Sequence, residues 1–216
     1  PLDIRKIDKS DNLFCYVWDP NLGNTTGYGA YQTLVKNASG NYIAIPGGGS
    51  YSGTTNNLIQ SGSAFFVYNT NGGNLAIKES SKASGNPNIV AFTPATAPDA
   101  SSNMSIQLYG VAAGGNATLL DGVLQDFDDT YSNDIDGMDA KKSANTSETF
   151  SIKTQGQLLS VERKHTIVQN DTTFLNLTTV KAQAYRGELT AENLQGAVAV
   201  LEDNDQETNT QLNKGG

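Results

Sequence analysis

The sequence predicts an all-β protein, an antiparallel β-sandwich of jelly-roll-like form, built as two packed sandwich units. Three observations carry that expectation. Apolar residues recur with a period of two: Met104, Ile106 and Leu108 alternate with Ser105 and Gln107, and Thr173, Leu175 and Leu177 oppose Phe174 and Asn176. Such alternation gives each strand one face for a core and one for water. Gly47-Gly48-Gly49, Asn71-Gly72-Gly73-Asn74 and Gly114-Gly115-Asn116 separate the apolar runs. These residues accept the positive φ of tight hairpins. Finally, Gly, Asn, Ser and Thr supply 82 of the 216 residues and charged residues only 17%. That leaves too few long charged side chains for the exposed faces of a helical bundle. Recurrent apolar strands likewise argue against disorder.

Taken in order, strands are expected at Leu13–Trp18, Tyr31–Val35, Tyr42–Ile45, Ala64–Tyr68, Leu75–Lys78 and Ile89–Phe92. These form a first unit, residues 1–98. The stretch Thr93–Asn103 holds two of the six prolines and no large apolar residue, and reads as the connection. A second unit, residues 99–216, is expected to hold strands at Met104–Val111, Thr118–Phe127, Glu148–Lys153, Leu158–Glu162, Thr172–Leu177, Ala182–Leu189 and Ala197–Leu201. One helical turn is expected near Asp134–Ser143. The tail Glu202–Gly216 is polar and a last strand would be expected to return after Leu212, so the sheet is expected to be incomplete there, with an unpaired edge. A start at Pro1 suggests a chain that begins after processing or inside a larger protein.

Charge and composition narrow the function. With 14 basic against 22 acidic residues the net charge is −8. No basic cluster exists, since Lys141-Lys142 and Arg163-Lys164 are isolated pairs, so nucleic-acid binding is not expected. No run reaches the ~20 apolar residues of a membrane helix. Cys15 is the single cysteine and sits in an apolar run, so no intrachain disulfide exists and a buried thiol is expected. His165 is the single histidine and lies in a polar segment. The glycine-rich stretch Gly47–Gly53 has no lysine and reads as a loop rather than a phosphate cradle. No nucleophile elbow is present. A glycosidase pair of acids, about 5–10 Å apart across a cleft, stays open because acids are plentiful. Trp18, the one tryptophan, is expected in a core or at the Asp19-Pro20 turn.

The most concentrated polar feature is the segment 126–139. Asp126, Asp128, Asp129, Asp134, Asp136 and Asp139 put six carboxylates in fourteen residues. Such acids repel unless they are hydrated or neutralised. A structural calcium ion with oxygen ligands is one candidate and a solvated loop the other. Ser132 and Ser143 at the first and twelfth loop positions exclude an EF-hand. Tyr28, Tyr31 and Tyr51, in or beside glycine-rich loops, are the candidate aromatic platform for a glycan. Seven N-x-S/T triplets occur, at Asn24, Asn37, Asn103, Asn116, Asn145, Asn170 and Asn176, as expected by chance in such a composition.

Several motifs, in order, resemble secreted surface proteins of Bacteroidetes. They are Tyr16-Val17-Trp18-Asp19-Pro20-Asn21-Leu22-Gly23, Gly27-Tyr28-Gly29-Ala30-Tyr31 and Ile59–Val67. Leu119-Leu120-Asp121-Gly122-Val123 through Phe127-Asp128, Asp136–Lys141 and Ala199–Asn204 continue the likeness, which spans roughly 13–212. The resemblance implies a multi-domain cell-surface or secreted protein exported by type IX secretion. It also implies O-glycosylation at Asp171-Thr172-Thr173, with Thr172 as the acceptor. The expected role is therefore non-catalytic: a structural or adhesive module, extracellular or at the outer surface. Its expected partners are neighbouring domains or subunits. The alternative is a carbohydrate-binding module.

Overall fold

Aromatic and β-branched side chains fill the apolar runs, and these runs become strands because such residues pack well on a pleated, half-buried surface. The computed structural model describes residues 1–9, 12–23, 29–51, 56–69, 72–84, 102–168, 170–194, 196–203 and 207–211. The first part of the chain forms β1 (Leu2–Asp3), β2 (Asp8–Lys9), β3 (Leu13–Asp19), β4 (Ala30–Lys36), β5 (Tyr42–Ile45), β6 (Leu58–Ile59), β7 (Phe65–Asn69) and β8 (Leu75–Ala76). The second forms β9 (Ser102–Val111), β10 (Ala117–Phe127), β11 (Ala140–Lys141), β12 (Thr149–Thr154), β13 (Gln157–Lys164), β14 (Leu175–Thr178), β15 (Ala184–Glu192), β16 (Val200–Asp203) and β17 (Thr208–Gln211). Among the described residues the only helical pieces are 3₁₀ turns at Ile4–Lys6 and Glu79–Ser81. The protein is all-β.

Two main sheets organise it. One has the order β5-β4-β3-β7, and the other runs β14-β12-β13-β10-β9-β15 with β11 also on β13. The pairs β1-β6, β2-β8 and β16-β17 stand as two-stranded sheets. Pairing is antiparallel except between β10 and β13, where Leu124 faces Val161 in parallel register. The chain leaves β10, crosses the acidic segment, and returns through β11 and β12 before reaching β13, which is why that pair can run parallel.

Strand β3 explains the layering. Leu13, Cys15 and Val17 point to a core shared with Ile4, Ile7, Leu34, Tyr42 and Ile59. Phe14 and Tyr16, on the opposite face, meet Val35 and Ile45 together with Leu124, Ala140 and Val161 from the larger sheet. A strand buried on both sides reads as the near-continuous run LFCYVWD instead of alternating. Each large apolar side chain buried here contributes about 1.5–3 kcal/mol. A third cluster, including Ile106, Leu108, Val123, Phe150 and Leu159, belongs wholly to the larger sheet.

Several expectations change in detail. The strand expected from Thr172 begins at Leu175, and the one expected over Leu75–Lys78 ends at Ala76. The helical turn near Asp134–Ser143 is absent: non-helical turns lead into β11, because the Asp side chains there bond nearby backbone N–H groups instead of leaving them to a helix. Within the tail β17 pairs with β16, and the return expected after Leu212 lies outside the described residues. The Ile89–Phe92 strand, the proposed boundary at 98–99 and most of the Thr93–Asn103 connection lie outside the described residues. Buried residues from both sides of that stretch share the second cluster.

Candidate functional site

An aromatic strip lies on the face of β3 that carries Phe14 and Tyr16. Trp18 pairs with Tyr31 across β3 and β4, and Tyr16 with Phe66 across β3 and β7. Directly opposed residues share a face. The larger sheet buries Phe14 and Tyr16, whereas Trp18 and Tyr31 remain half-buried and Phe66 is 63% exposed. The Trp18 and Tyr31 rings meet edge to face with centroids 4.8 Å apart, and Tyr31 and Phe66 are 6.0 Å apart at 57°. Both spacings are normal for aromatic pairs.

This strip differs from the expected platform of Tyr28, Tyr31 and Tyr51. Tyr28 lies outside the described residues. Tyr51 packs against the first core cluster and Tyr31 against the second. The two rings therefore serve opposite faces of the small sheet. Sequence reasoning missed Phe66 and set Trp18 aside. The usable signal was parity: Phe14, Tyr16 and Trp18 recur every second residue, as do Phe66 and Tyr68.

The glycine-rich loop has a structural task. The carboxylate of Asp19 is fully buried and accepts from the Asn21 amide at 2.9 Å, the Ser50 amide at 2.5 Å and the Ser50 hydroxyl at 2.7 Å. Gly49 has φ +60°, and a Cβ there would sit 2.0 Å from Asp19 Oδ2. Only glycine lets the loop close over this acid.

The acidic segment is neutralised largely by its own surroundings. Asp128 accepts from the Thr130 hydroxyl at 2.6 Å and amide at 2.9 Å, and these bonds hold its carboxyl below the usual value. Asp136 accepts from the Met138 amide at 2.7 Å. Asp139 accepts from the amides of Asp136 and Arg163, each at 2.8 Å, while burial pushes its carboxyl upward. Asp126 lies 3.5 Å from the Arg163 guanidinium, which also donates to Met138 O and Lys36 O. Asp129 and Asp134 are exposed. The six carboxylates do not converge: among the described residues no group of three or more His, Cys, Asp or Glu is placed to hold a metal ion. A depression beside this loop is lined by Tyr68, Asp136, Asp139, Lys141 and Gln157. Its two acids come from one turn, and Asp139 already uses both oxygens on backbone amides.

The other predicted residues are spread out. Thr172 is exposed just ahead of β14, beside Asp171, which pairs with Lys164 at 2.6 Å. Cys15 is fully buried, and desolvation pushes its thiol up to about 12, far from the thiolate form. The His165 ring lies 3.2 Å from Thr166 O.

A buried polar centre was not foreseen as a site. Asp121 on β10 is completely buried and contacts the Lys142 ammonium directly. Asp121 Oδ1 also accepts from the Gly122 amide at 2.7 Å. Its Oδ2 accepts from Asn145 Nδ2 at 3.0 Å and the Phe150 amide at 2.8 Å. Asn145 extends the network, donating to Glu148 O at 3.1 Å and accepting from the Tyr31 amide at 2.8 Å. The Asn145 triplet therefore offers no free amide for glycosylation. Nearby, the buried Glu148 takes bonds from Gln183 at 3.0 Å and Tyr185 at 2.9 Å.

Fold and site together define an all-β, sandwich-like protein with an aromatic surface strip and a buried ionic centre. In comparisons with known proteins, no family model, curated protein or solved structure matches the chain.

Proposed function

We propose that this chain is a non-catalytic structural or adhesive module of a cell-surface or secreted protein, of the Bacteroidetes type IX cargo kind it resembles. Contacts with neighbouring domains or subunits are its means of action. The observation that carries this reading is the terminal hairpin. Every described residue of β16 and β17 is exposed, the pair joins no other sheet among the described residues, and Val198, Val200 and Leu201 are 62, 50 and 46% exposed. An isolated two-stranded hairpin is marginally stable in water, so it gains by joining another sheet edge. Sedimentation velocity over a range of concentrations tests this, with hydrogen exchange followed on 200–211. Self-association with slowed exchange is expected, and Val200→Asp/Leu201→Asp should abolish both. A chain that stays monomeric, with exchange on the hairpin unchanged at all concentrations, counts against subunit contact through this edge.

The second reading, a carbohydrate-binding module, is favoured by the Trp18–Tyr31–Phe66 strip, since exposed rings can stack on sugar faces. Pull-down on a panel of insoluble polysaccharides tests it. Retention by one glycan, lost in Trp18→Ala/Phe66→Ala, supports the module; no retention on any glycan sinks it.

A further inference from the structure

The Asp121–Lys142 centre is built as more than an ion pair. The two side chains are only 0 and 3% exposed, so both charges have left water. The Lys142 ammonium also donates to Gly122 O at 3.3 Å. The two carboxylate oxygens are held differently. Oδ1 takes the lysine and the Gly122 amide, whereas Oδ2 faces two fixed donors, Asn145 Nδ2 and the Phe150 amide. Two donors on one oxygen of an acyl group form the arrangement that stabilises a tetrahedral oxyanion.

We infer that Asp121 and Lys142 condense to an intramolecular amide that joins β10 to the segment following β11. The Lys142 ammonium passes one proton to Asp121 Oδ1, leaving a neutral amine and a neutral acid. The Nζ lone pair then attacks Cγ; the N–C bond forms, and the carbonyl electron pair moves onto Oδ2 between its two donors. A second proton passes from Nζ to Oδ1. The electron pair on Oδ2 then returns to re-form the carbonyl as the Cγ–Oδ1 bond breaks with its own pair leaving on oxygen, and water departs. One hydrogen stays on nitrogen, and the product is a secondary amide. No oxidant, metal or activated donor is needed.

The surroundings favour each stage. Burial pushes the Asp121 carboxyl upward against the opposing pull of Lys142, which favours the neutral acid. Held contact makes the attack effectively unimolecular. The amide also removes two desolvated charges, whose burial is costly. Asn145 acts here as a positioning and oxyanion-binding residue, and its own side-chain oxygen is anchored by the Tyr31 amide.

Mass spectrometry of the purified full chain, denatured before measurement, tests the bond. The expected mass is one water below that of the sequence, and digestion should yield a branched peptide joining the Asp121 and Lys142 segments. Asp121 precedes Gly122, and Asp136 precedes Gly137, so succinimide formation could also remove one water. Lys142→Arg separates the two: it should restore the full sequence mass. Asp121→Asn should close the same amide with loss of ammonia and so reach the mass of the cross-linked wild type. A folded wild-type chain at its full sequence mass overturns the proposal. So does a water loss that persists in Lys142→Arg.

Discussion

Asp121 and the 126–139 loop are close in sequence, yet they handle negative charge in opposite ways. Asp121 is sealed under the larger sheet and takes a lysine, two backbone amides and an asparagine. Most loop acids face water and bond locally, as Asp128 does to Thr130 and Asp136 to Met138. Asp139 lies between the two cases: buried, but satisfied by amides from its own turn and from β13. The contrast shows that acid density along a chain does not locate the acids under greatest electrostatic stress. Burial does that, because a desolvated charge must be paired whereas a hydrated one need not be.

The largest effect should come from breaking the buried centre. Asp121→Ala leaves Lys142 charged with no carboxylate, and strands the Phe150 amide; a loss of about 3–5 kcal/mol in urea unfolding is expected. The control sits in the loop. Asp129→Ala/Asp134→Ala should stay within about 0.5 kcal/mol of wild type. Comparable losses from both variants would erase the distinction between the two regions.

Asp139→Ala should fall between them, at about 1–3 kcal/mol, because the buried Arg163 amide and the part-buried Asp136 amide lose their acceptor. Titration sharpens the same comparison. In carboxyl NMR, Asp128 should titrate below 3.8 and Asp139 above it. The consequences for stability have opposite signs. Above 3.8 the folded state holds more protons on Asp139 than the unfolded state does, so its contribution falls as pH rises through the raised folded value. Asp3, lowered chiefly by its side-chain bond with Arg5, contributes above 3.8 and loses that contribution as pH falls through its lowered folded value. Asp139→Asn should flatten the first slope and leave the second in place.

The smallest expected effect is that of metal removal. Because the six carboxylates do not converge on one point among the described residues, a chelator should leave the melting temperature unchanged. A clear drop would mean that the loop rearranges around calcium, and would move it into the class of tightly neutralised acids.

Much of the fold was legible locally. Tyr42–Ile45 forms a strand with the expected bounds, and the strand expected at Met104–Val111 gains only two residues, because alternation and bounding turns are properties of the few residues concerned. The very short strands β1, β2, β6 and β11 were not legible, since two residues carry no period. The site was less legible. Trp18 and Tyr31 lie in the resembling motifs, but their juxtaposition with Phe66 depends on the order β4-β3-β7. Gly49 read as a loop glycine, and its closeness to Asp19 spans thirty residues.

The sequence by itself determined that this protein is all-β, that its lone thiol is buried in an apolar run, and where most of its longer strands run. Those properties follow from composition and from a period of two, both set by neighbours in the chain. Only the tertiary structure decided which acid is stripped of water, that β10 and β13 run parallel, and that Lys142 and Asn145 reach Asp121. Burial and pairing of this kind are set by sheets brought together across long stretches of chain, and no local pattern records which residues will meet there.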